Sequence, residues 1–542
     1  MRTVSLSWVC VVLLSLSCGA TGEVPSGAVP SGPAGDAGAV TGGDGGTPAT
    51  QDASPAPPPG SPGTCVSTSQ LQTWVKEIDQ FDGGYRPTGS AAHEGYIALL
   101  ASELTGLGVS DVHTEPYSFA KWTPSAWSLT LLDGASAGPI ALSGYVPYSG
   151  TTAPAGVTSG MVYIPASTIP LDPTALAGAL QDPDAWNQTL TTQLQASLAS
   201  LAVAGKIALF DVPRVSVALS TLTGPQVLVN DPGGTLPPNP TVTRTDLSAM
   251  LIVPAMLAAL AADGALGGVG ILDSPAEAAQ GEYAPFFGVV TPNLPAVYVD
   301  RTTGETLRTA LSSSGPLLAA NLVMTATLGE ATSENLIGVL PGDSPEEILL
   351  GSHTDGPNSM EDNGPAAILA LASCLPPSRR PRSVRIVLSG GHFVGSRGLQ
   401  TYAAAHVADL TANALAVIEI EHLGAREWTE VSPGVMGLTG LPEVQILTTW
   451  PNAPLVDAGK AFAAQFPRSI VGGPPVLGEG PNFRIVPLVQ FITMPEYLLV
   501  GHLPAITSQF TDFDLMQRQV TAFAAMEQAL AVAPASELGV AP

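Results

Sequence analysis

Residue types that bind divalent metal ions follow apolar runs in the second half of the chain. The run Ile348–Gly351 leads to His353 and Asp355, and another apolar run leads to Glu421. Imidazole and carboxylate are the ligand types of hydrolytic zinc, which also keeps an open position for water. Asp355 lies two residues after His353, on the same face of a strand, so its carboxylate can accept the other imidazole N–H. The pattern predicts a zinc site in which Asp355 orients His353.

The histidines give this prediction further support. Four of the seven in the chain fall at or next to predicted strand ends: His353, His392, His422 and His502. A single histidine at a strand end is more often a hydrogen-bonded structural residue than a ligand. The prediction of a metal site therefore depends on four histidines occurring together at strand ends. The other three, His93, His113 and His406, are predicted on helix or loop surfaces.

The segment after Asn321 alternates strands with helices, which is the pattern of an α/β domain. Strands are predicted at 336–340, 347–350, 383–388 and 414–420, and helices at 365–374 and 398–406. We therefore predict a mixed central sheet flanked by helices. Because chemistry in such sheets is placed at the carboxyl ends of strands, the positions of His353, His392 and Glu421 agree with a site there.

Residues 128–299 have a different pattern, with short β-rich runs separated by Pro and Gly. The predicted organisation is a discontinuous α/β domain over 64–127 and 300–535 with an inserted β-rich domain over 128–299. Within the insert, the apolar run Leu251–Ala262 is interrupted by Pro254, so it is not predicted to span a membrane.

Residues 1–20 have the layout of a secretory signal peptide. The sequence around Cys18 is also similar to a bacterial lipobox, which leaves lipid attachment at Cys18 and ordinary cleavage near Ala20 as alternatives. Residues 21–63 are rich in Gly, Pro and Ala and are predicted to be a disordered linker. The protein is thus expected to be exported, to the extracellular space, the periplasm or the bacterial envelope.

Removal of the leader leaves Cys65 and Cys374, which either form one disulfide or remain two buried thiols. The chain has 19 Lys and Arg residues against 45 Asp and Glu, a net charge of -26. This charge repels polyphosphate, so nucleic acid and anionic membrane surfaces are not expected partners. The expected partner is a peptide or small-molecule substrate, and the oligomeric state stays open.

From about residue 66 to 530 the chain resembles metallopeptidase family twenty-eight, which contains co-catalytic zinc aminopeptidases and glutamate-carboxypeptidase-like enzymes. The resemblance rests on three motifs, which are His353-x-Asp355, Asp362-Asn363 before small residues, and Val394-Gly395-Ser396-Arg397-Gly398-Leu399. The turn Arg86-Pro87-Thr88-Gly89-Ser90 is similar to one in the family, and residues 128–299 resemble its inserted protease-associated domain. The resemblance implies that zinc is bound by His353, Asp362, Glu421 and His502.

His392 and Phe393 stand where the family has two adjacent glutamates, a general base and a zinc ligand. Phe393 cannot bind a metal, so one zinc ion is expected rather than two, or none. His392 is then either a proton acceptor or a ligand, and His392 and Asp355 are the candidate catalytic residues. The resemblance implies an aminopeptidase-like zinc hydrolase with an atypical site. The alternative is a catalytically inactive binding protein with the same fold.

Overall fold

The computed structural model describes residues 65–171, 179, 182–283, 294–314, 318–375, 380–474, 478–483, 485–501 and 509–538. The predicted signal peptide and linker, Cys18 and His502 lie outside the described residues.

The described strands follow one another along the whole chain. They are β1 (Ser110–Leu131), β2 (Gly138–Ile140), β3 (Gly144–Tyr145), β4 (Val157–Ile164), β5 (Ile207–Val212), β6 (Ser216–Ala218), β7 (Leu228–Asn230), β8 (Thr241–Thr243), β9 (Gly267–Leu272), β10 (Ala296–Val299), β11 (Ala319–Leu340), β12 (Glu347–His353), β13 (Ser383–Ser389), β14 (Ala414–Ile420), β15 (Arg426–Ser432), β16 (Val435–Pro442), β17 (Gln445–Thr449), β18 (Ser469–Gly472) and β19 (Leu488–Thr493).

The described helices lie between these strands and at both ends. They are α1 (Thr68–Ile78), α2 (Ala91–Gly106), α3 (Pro183–Leu198), α4 (Leu219–Thr223), α5 (Thr245–Ala262), α6 (Ala276–Ala279), α7 (Arg301–Ser314), α8 (Gly364–Cys374), α9 (Arg397–Ala405), α10 (Val407–Asn413), α11 (Ala453–Ala463), α12 (Phe513–Val532) and α13 (Ala535–Leu538).

One large mixed sheet of 15 strands organises the described part of the chain. Its order is β3-β10-β9-β5-β4-β11-β13-β12-β14-β19-β17-β18-β7, and β1 pairs with both β11 and β2. Helices cover it, so the prediction of an α/β fold with a mixed central sheet flanked by helices is confirmed. Within residues 128–299, β4 joins this sheet beside β11 and β7 joins it beside β18, whereas β6 and β8 form a separate two-stranded sheet.

The middle of the sheet is parallel, with β13, β12, β14 and β19 as neighbours in the same direction. Every residue of β12 and β19 is buried, as expected for parallel strands covered on both faces. On one face α8 and α12 pack in a large apolar cluster, and α9 packs on the other. The carboxyl ends of these strands therefore open at a single edge, between two layers of helices.

The apolar run was predicted to be interrupted at Pro254, but the structure shows one continuous helix there, α5. It continues through Pro254 as an 18-residue helix that is long and apolar enough to cross a membrane, yet 78% of it is buried inside the structure. Proline removes a helical hydrogen bond, but close packing of α5 against α3, β5 and β9 holds the helix together. This burial is that of a core helix.

Cys65 and Cys374 form a disulfide, which decides between the two alternatives left by the sequence. The bond joins the start of the described chain to the last residue of α8, and 309 residues separate its two ends. Closing so long a loop removes many conformations from the unfolded chain.

Replacing both cysteines with serine should therefore lower the free energy of unfolding by about 2 to 5 kcal/mol. The measurement is urea denaturation of the purified, oxidised protein, with the reduced wild type as the matched control. Equal unfolding midpoints for the oxidised wild type and the double variant would contradict a stabilising bond.

Candidate metal centre

Five potential metal-binding side chains meet at the carboxyl edge of the parallel strands. His353 ends β12, His392 follows β13, Glu421 and His422 follow β14, and Glu361 lies in the loop between β12 and α8. They form two donor groups that share His353, one with Glu361 and His392 and the other with Glu421 and His422. Within each group the ligand atoms lie within 4.8 Å of one another, and all five residues are buried.

The imidazoles of His353 and His422 are held by backbone carbonyl groups. His353 Nδ1 donates to the carbonyl oxygen of Asp355 at 3.0 Å, and His422 Nδ1 donates to that of Thr493 at 2.7 Å. A carbonyl only accepts, so Nδ1 carries the proton and Nε2 presents a lone pair. Among the described residues, neither Nε2 atom has a hydrogen-bond partner.

Both of these rings are held neutral by their surroundings. Burial lowers the pKa of His353 well below its usual value and lowers that of His422 to about 3. Neutral imidazole is the form that binds metal, so burial keeps both rings ready for a cation at neutral pH.

His392 is held by a carboxylate. Gly391, with a φ of 79°, turns the chain after β13, and His392 Nδ1 then lies 2.8 Å from Glu479 Oε1. The ring stacks on His353, with centroids 4.3 Å apart and an interplanar angle of 11°. Burial opposes the charged form, but the hydrogen bond and negative charge of Glu479 raise the pKa of His392.

Asn358 fixes the loop that carries Glu361. Its amide nitrogen donates to the carbonyl groups of Tyr497, Leu498 and Val500, and its oxygen accepts from the backbone N–H of Glu361 at 3.1 Å. Burial, followed by the charges of nearby acids, raises the pKa of Glu361 well above its usual value. A carboxylate held in this way is costly unless a cation accompanies it.

Glu421 lines the cavity into which these donor groups open. Its Oε1 accepts from the backbone N–H of Glu479 at 3.0 Å, and its Oε2 lies 3.8 Å from His422 Nε2. Burial raises the pKa of Glu421 to about 7.

Asp362, predicted as a ligand, lies in a different environment. It forms a fully buried ion pair with Arg86, whose other contacts include the Gly84 carbonyl at 2.7 Å and the ring of Tyr96. Burial raises the pKa of Asp362 to about 6, although Arg86 acts against the shift. The guanidinium thus supplies a cation to the carboxylate that the family resemblance assigns to zinc, while Asp362 Oδ1 has no hydrogen-bond partner among the described residues.

Asp355 contacts His353 through its backbone. The carbonyl oxygen, instead of the carboxylate, accepts from the His353 ring, and the carboxylate accepts from Thr88 Oγ1 at 2.5 Å and from the backbone N–H of His392 at 3.2 Å. Asp355 therefore links the turn at Thr88 to both histidines.

The prediction of a surface position for His93 is wrong. His93 is fully buried, its Nε2 lies 2.8 Å from Thr354 Oγ1, and its Nδ1 accepts from the backbone N–H of Gly89 at 3.1 Å. Burial lowers its pKa to about 4, so it is a neutral structural residue. Helix α2 turns this face towards the sheet, which its sequence alone did not reveal.

Sequence reasoning missed Glu361 and Glu479, and it did not include His422 among the expected ligands. One local signal exists for His422, because its φ of 58° lies in the left-handed region, which costs a non-glycine residue about 1–2 kcal/mol. Such strain is held by surrounding structure and concentrates at functional sites. It becomes visible only once the backbone is known.

The candidate metal centre opens into a cavity of about 460 Å³. Its polar end is formed by Glu361, His392, Glu421 and His422. The remaining wall is mainly apolar and includes Met250, Leu251, Pro254, Met494, Leu498 and Leu499. Polar residues also line it, among them Asn187, Arg244, Asp246, Ser396, Gln400 and Asn482. The site therefore joins a polar, cation-attracting end to an apolar chamber large enough for an organic side chain.

The donor set fits zinc in kind, because neutral nitrogen and carboxylate oxygen atoms converge and two buried Nε2 atoms lack partners among the described residues.

Replacing Arg86 with Met in metal-free protein should cost about 3 to 5 kcal/mol, because Asp362 would be left buried and unpaired. The Arg86→Met/Asp362→Asn double variant removes both charges and should recover most of the loss. Chemical denaturation with a chelator present measures both. An unchanged unfolding free energy in the single variant would contradict the pairing.

Comparison with models of known protein families and with curated proteins found no match. Solved structures do match over most of the chain. An aminopeptidase from Aneurinibacillus sp. strain AM-1 has a TM-score of 0.51 at 17% identity, covering 86% of this chain and 93% of its own. The zinc aminopeptidase BSAP from Bacillus subtilis has a TM-score of 0.54 at 14% identity, covering 87% and 97%.

A peptidase M28 precursor from Shewanella amazonensis SB2B has a TM-score of 0.56 at 17% identity, covering 86% and 93%. Identities this low establish the fold alone. The chain therefore has the fold of M28-type zinc aminopeptidases.

Proposed function

We propose that the protein is a metal-dependent, peptidase-like hydrolase that acts on the amino termini of peptides. The observation that carries the proposal is the convergence of buried His and Glu donors at the polar end of the 460 Å³ cavity. The likeness of the fold to zinc aminopeptidases supports it.

Zinc is the proposed ion, held by His353 together with members of the two donor groups. There it would supply Lewis-acid chemistry, polarising the peptide carbonyl and acidifying water. Glu421 lines the cavity beside His422, so its Oε2 is placed to take a proton from attacking water and pass it to the leaving amine. The apolar wall excludes water and holds the substrate side chain.

An amino-terminal preference is proposed from the likeness of the fold to aminopeptidases. A peptide with an acylated terminus should then bind poorly.

The second candidate function is that of a catalytically inactive binding protein. Two observations favour it: Phe393 brings an apolar ring to the cavity where a carboxylate is expected, and Asp362 is paired with Arg86.

We also propose that the chain is exported, or anchored to the bacterial envelope through Cys18. The disulfide between Cys65 and Cys374 supports this, since such bonds persist in oxidising compartments. Residues 128–299 are proposed as an inserted protease-associated-like domain. Their contribution of α5 to the cavity wall is consistent with a role in substrate selection.

The test is hydrolysis of leucine p-nitroanilide and of a short peptide by the zinc-loaded, purified chain. Turnover should disappear with a chelator, return when zinc is added, and fall at least about 100-fold in Glu421→Gln, the loss expected for a positioned general base. The same peptide with an acetylated amino terminus is the matched substrate control and should not be cleaved.

Substrate binding without turnover in the zinc-loaded protein would establish the binding-protein alternative. Cleavage of the acetylated peptide at an equal rate would contradict the amino-terminal preference.

A further inference from the structure

We infer that Glu496 is a positioning residue of the candidate metal centre and that it acts on the donor Glu361. It acts through the linking segment, residues 495–500, which follows β19 and contacts the loop between β12 and α8. The described part of residues 128–299 provides no member of either donor group, yet by this route it holds one donor in place. The inference rests on the metal-binding part of the proposed function and adds to it what fixes the donor.

Glu496 joins the linking segment to residues 128–299. It is 6% exposed, and both of its carboxylate oxygens are bonded. Oε1 accepts from the hydroxyl and the backbone N–H of Thr245, the first residue of α5, at 2.5 and 3.3 Å. Oε2 forms an ion pair with Arg214 at 2.7 Å. Three hydrogen-bond donors therefore converge on one carboxylate and fix the start of the linking segment against α5.

Asn358 connects the linking segment to the donor. Its Nδ2 lies 2.8–3.1 Å from three backbone carbonyl oxygens of the segment, those of Tyr497, Leu498 and Val500. Its Oδ1 accepts from the backbone N–H groups of Met360 at 2.9 Å and Glu361 at 3.1 Å. Because one buried amide bonds both stretches of backbone, a shift of the linking segment is passed to the main chain of Glu361.

Backbone groups provide a second attachment between the linking segment and residues 128–299. The carbonyl of Leu499 accepts from the N–H of Tyr283 at 2.9 Å, and the N–H of Gly501 donates to the carbonyl of Gly281 at 2.9 Å. These bonds persist whatever side chain occupies position 496. Loss of the Glu496 carboxylate should therefore loosen the linking segment without detaching it.

Glu361 depends on its main chain for its position. Its Oε2 has no hydrogen-bond partner in the described part of the chain, and its Oε1 lies 3.6 Å from His353 Nε2 in the first donor group. Outer-shell partners that orient ligands are worth about 10- to 100-fold in metal affinity. Loosening the linking segment should thus weaken metal binding even though every donor residue is still present.

The experiment compares two variants of the full chain with the wild type. Glu496→Ala removes the carboxylate, and Glu496→Gln keeps its shape but gives up the charge that pairs with Arg214. With a chelator present, hydrogen exchange at the amides of Met360 and Glu361 should be about 10-fold faster in Glu496→Ala and less affected in Glu496→Gln. Cobalt(II) affinity, measured by titration, should fall about 10-fold in Glu496→Ala, the low end expected for an indirect contact.

Glu347→Ala is the matched control. Glu347 is also a buried carboxylate in an ion pair, with Arg385 at 2.8 Å, but it begins β12, at the opposite end of that strand from His353. It should lower the unfolding midpoint in urea as Glu496→Ala does, and it should leave cobalt affinity and exchange at Met360 and Glu361 unchanged.

The double variant Asn358→Ala/Glu496→Ala tests the route. Because both residues act through the linking segment, its cobalt affinity should equal that of Asn358→Ala alone. Near-ultraviolet circular dichroism confirms the folding of each variant. If Glu496→Ala does not fold, Glu496→Gln provides the same comparison.

Wild-type exchange at Met360 and Glu361 in both Glu496 variants, an equal rise in Glu347→Ala, or additive losses in the double variant would each overturn the inference. Faster exchange in the Glu496 variants of a chain that binds no cobalt would support the hold on the Glu361 loop. That result would contradict only the proposed metal binding.

Discussion

The burial of carboxylates at the carboxyl edge of the sheet is the constraint on which the rest of the structure depends. Glu361, Asp362, Glu421 and Glu479 are each 1% exposed or less. Burying an ion costs several kcal/mol even after relaxation, so each charge needs a partner or a proton. Arg86 meets this need at Asp362 and the ring of His392 meets it at Glu479, while the proposed metal ion would meet it at Glu361.

The amino-terminal segment supports this edge from outside the sheet. The turn that follows α1 places Arg86 on Asp362 and Thr88 on Asp355, and a backbone bridge joins Arg86 to Gly356. The disulfide then ties residue 65 to the end of α8, whose first residue, Gly364, lies against Ser352 and the carbonyl of Ile420. A side chain at Gly364 would collide with both, so the first residue of α8 packs in direct contact with the sheet beside the site.

The sequence was sufficient to predict the α/β class, because buried parallel strands such as β12 are continuous apolar runs ending in polar residues. It also placed His353 and Glu421 at strand ends, since both directly end or follow such runs. It could not predict the partner of Asp362, which is 276 residues away in the chain. His93 was misplaced because the packed face of α2 depends on the turn beside it, and the direction of His422 depends on one left-handed residue.

The metal-donor residues and the apolar wall of the cavity come from different segments of the chain. The donors lie between residues 353 and 422, whereas Met250, Leu251 and Pro254 of α5 form much of the apolar wall. Substitutions in α5 can therefore change the volume and shape of the chamber without moving a donor atom. The α5 wall of the chamber and the donor groups can thus vary independently of each other during evolution.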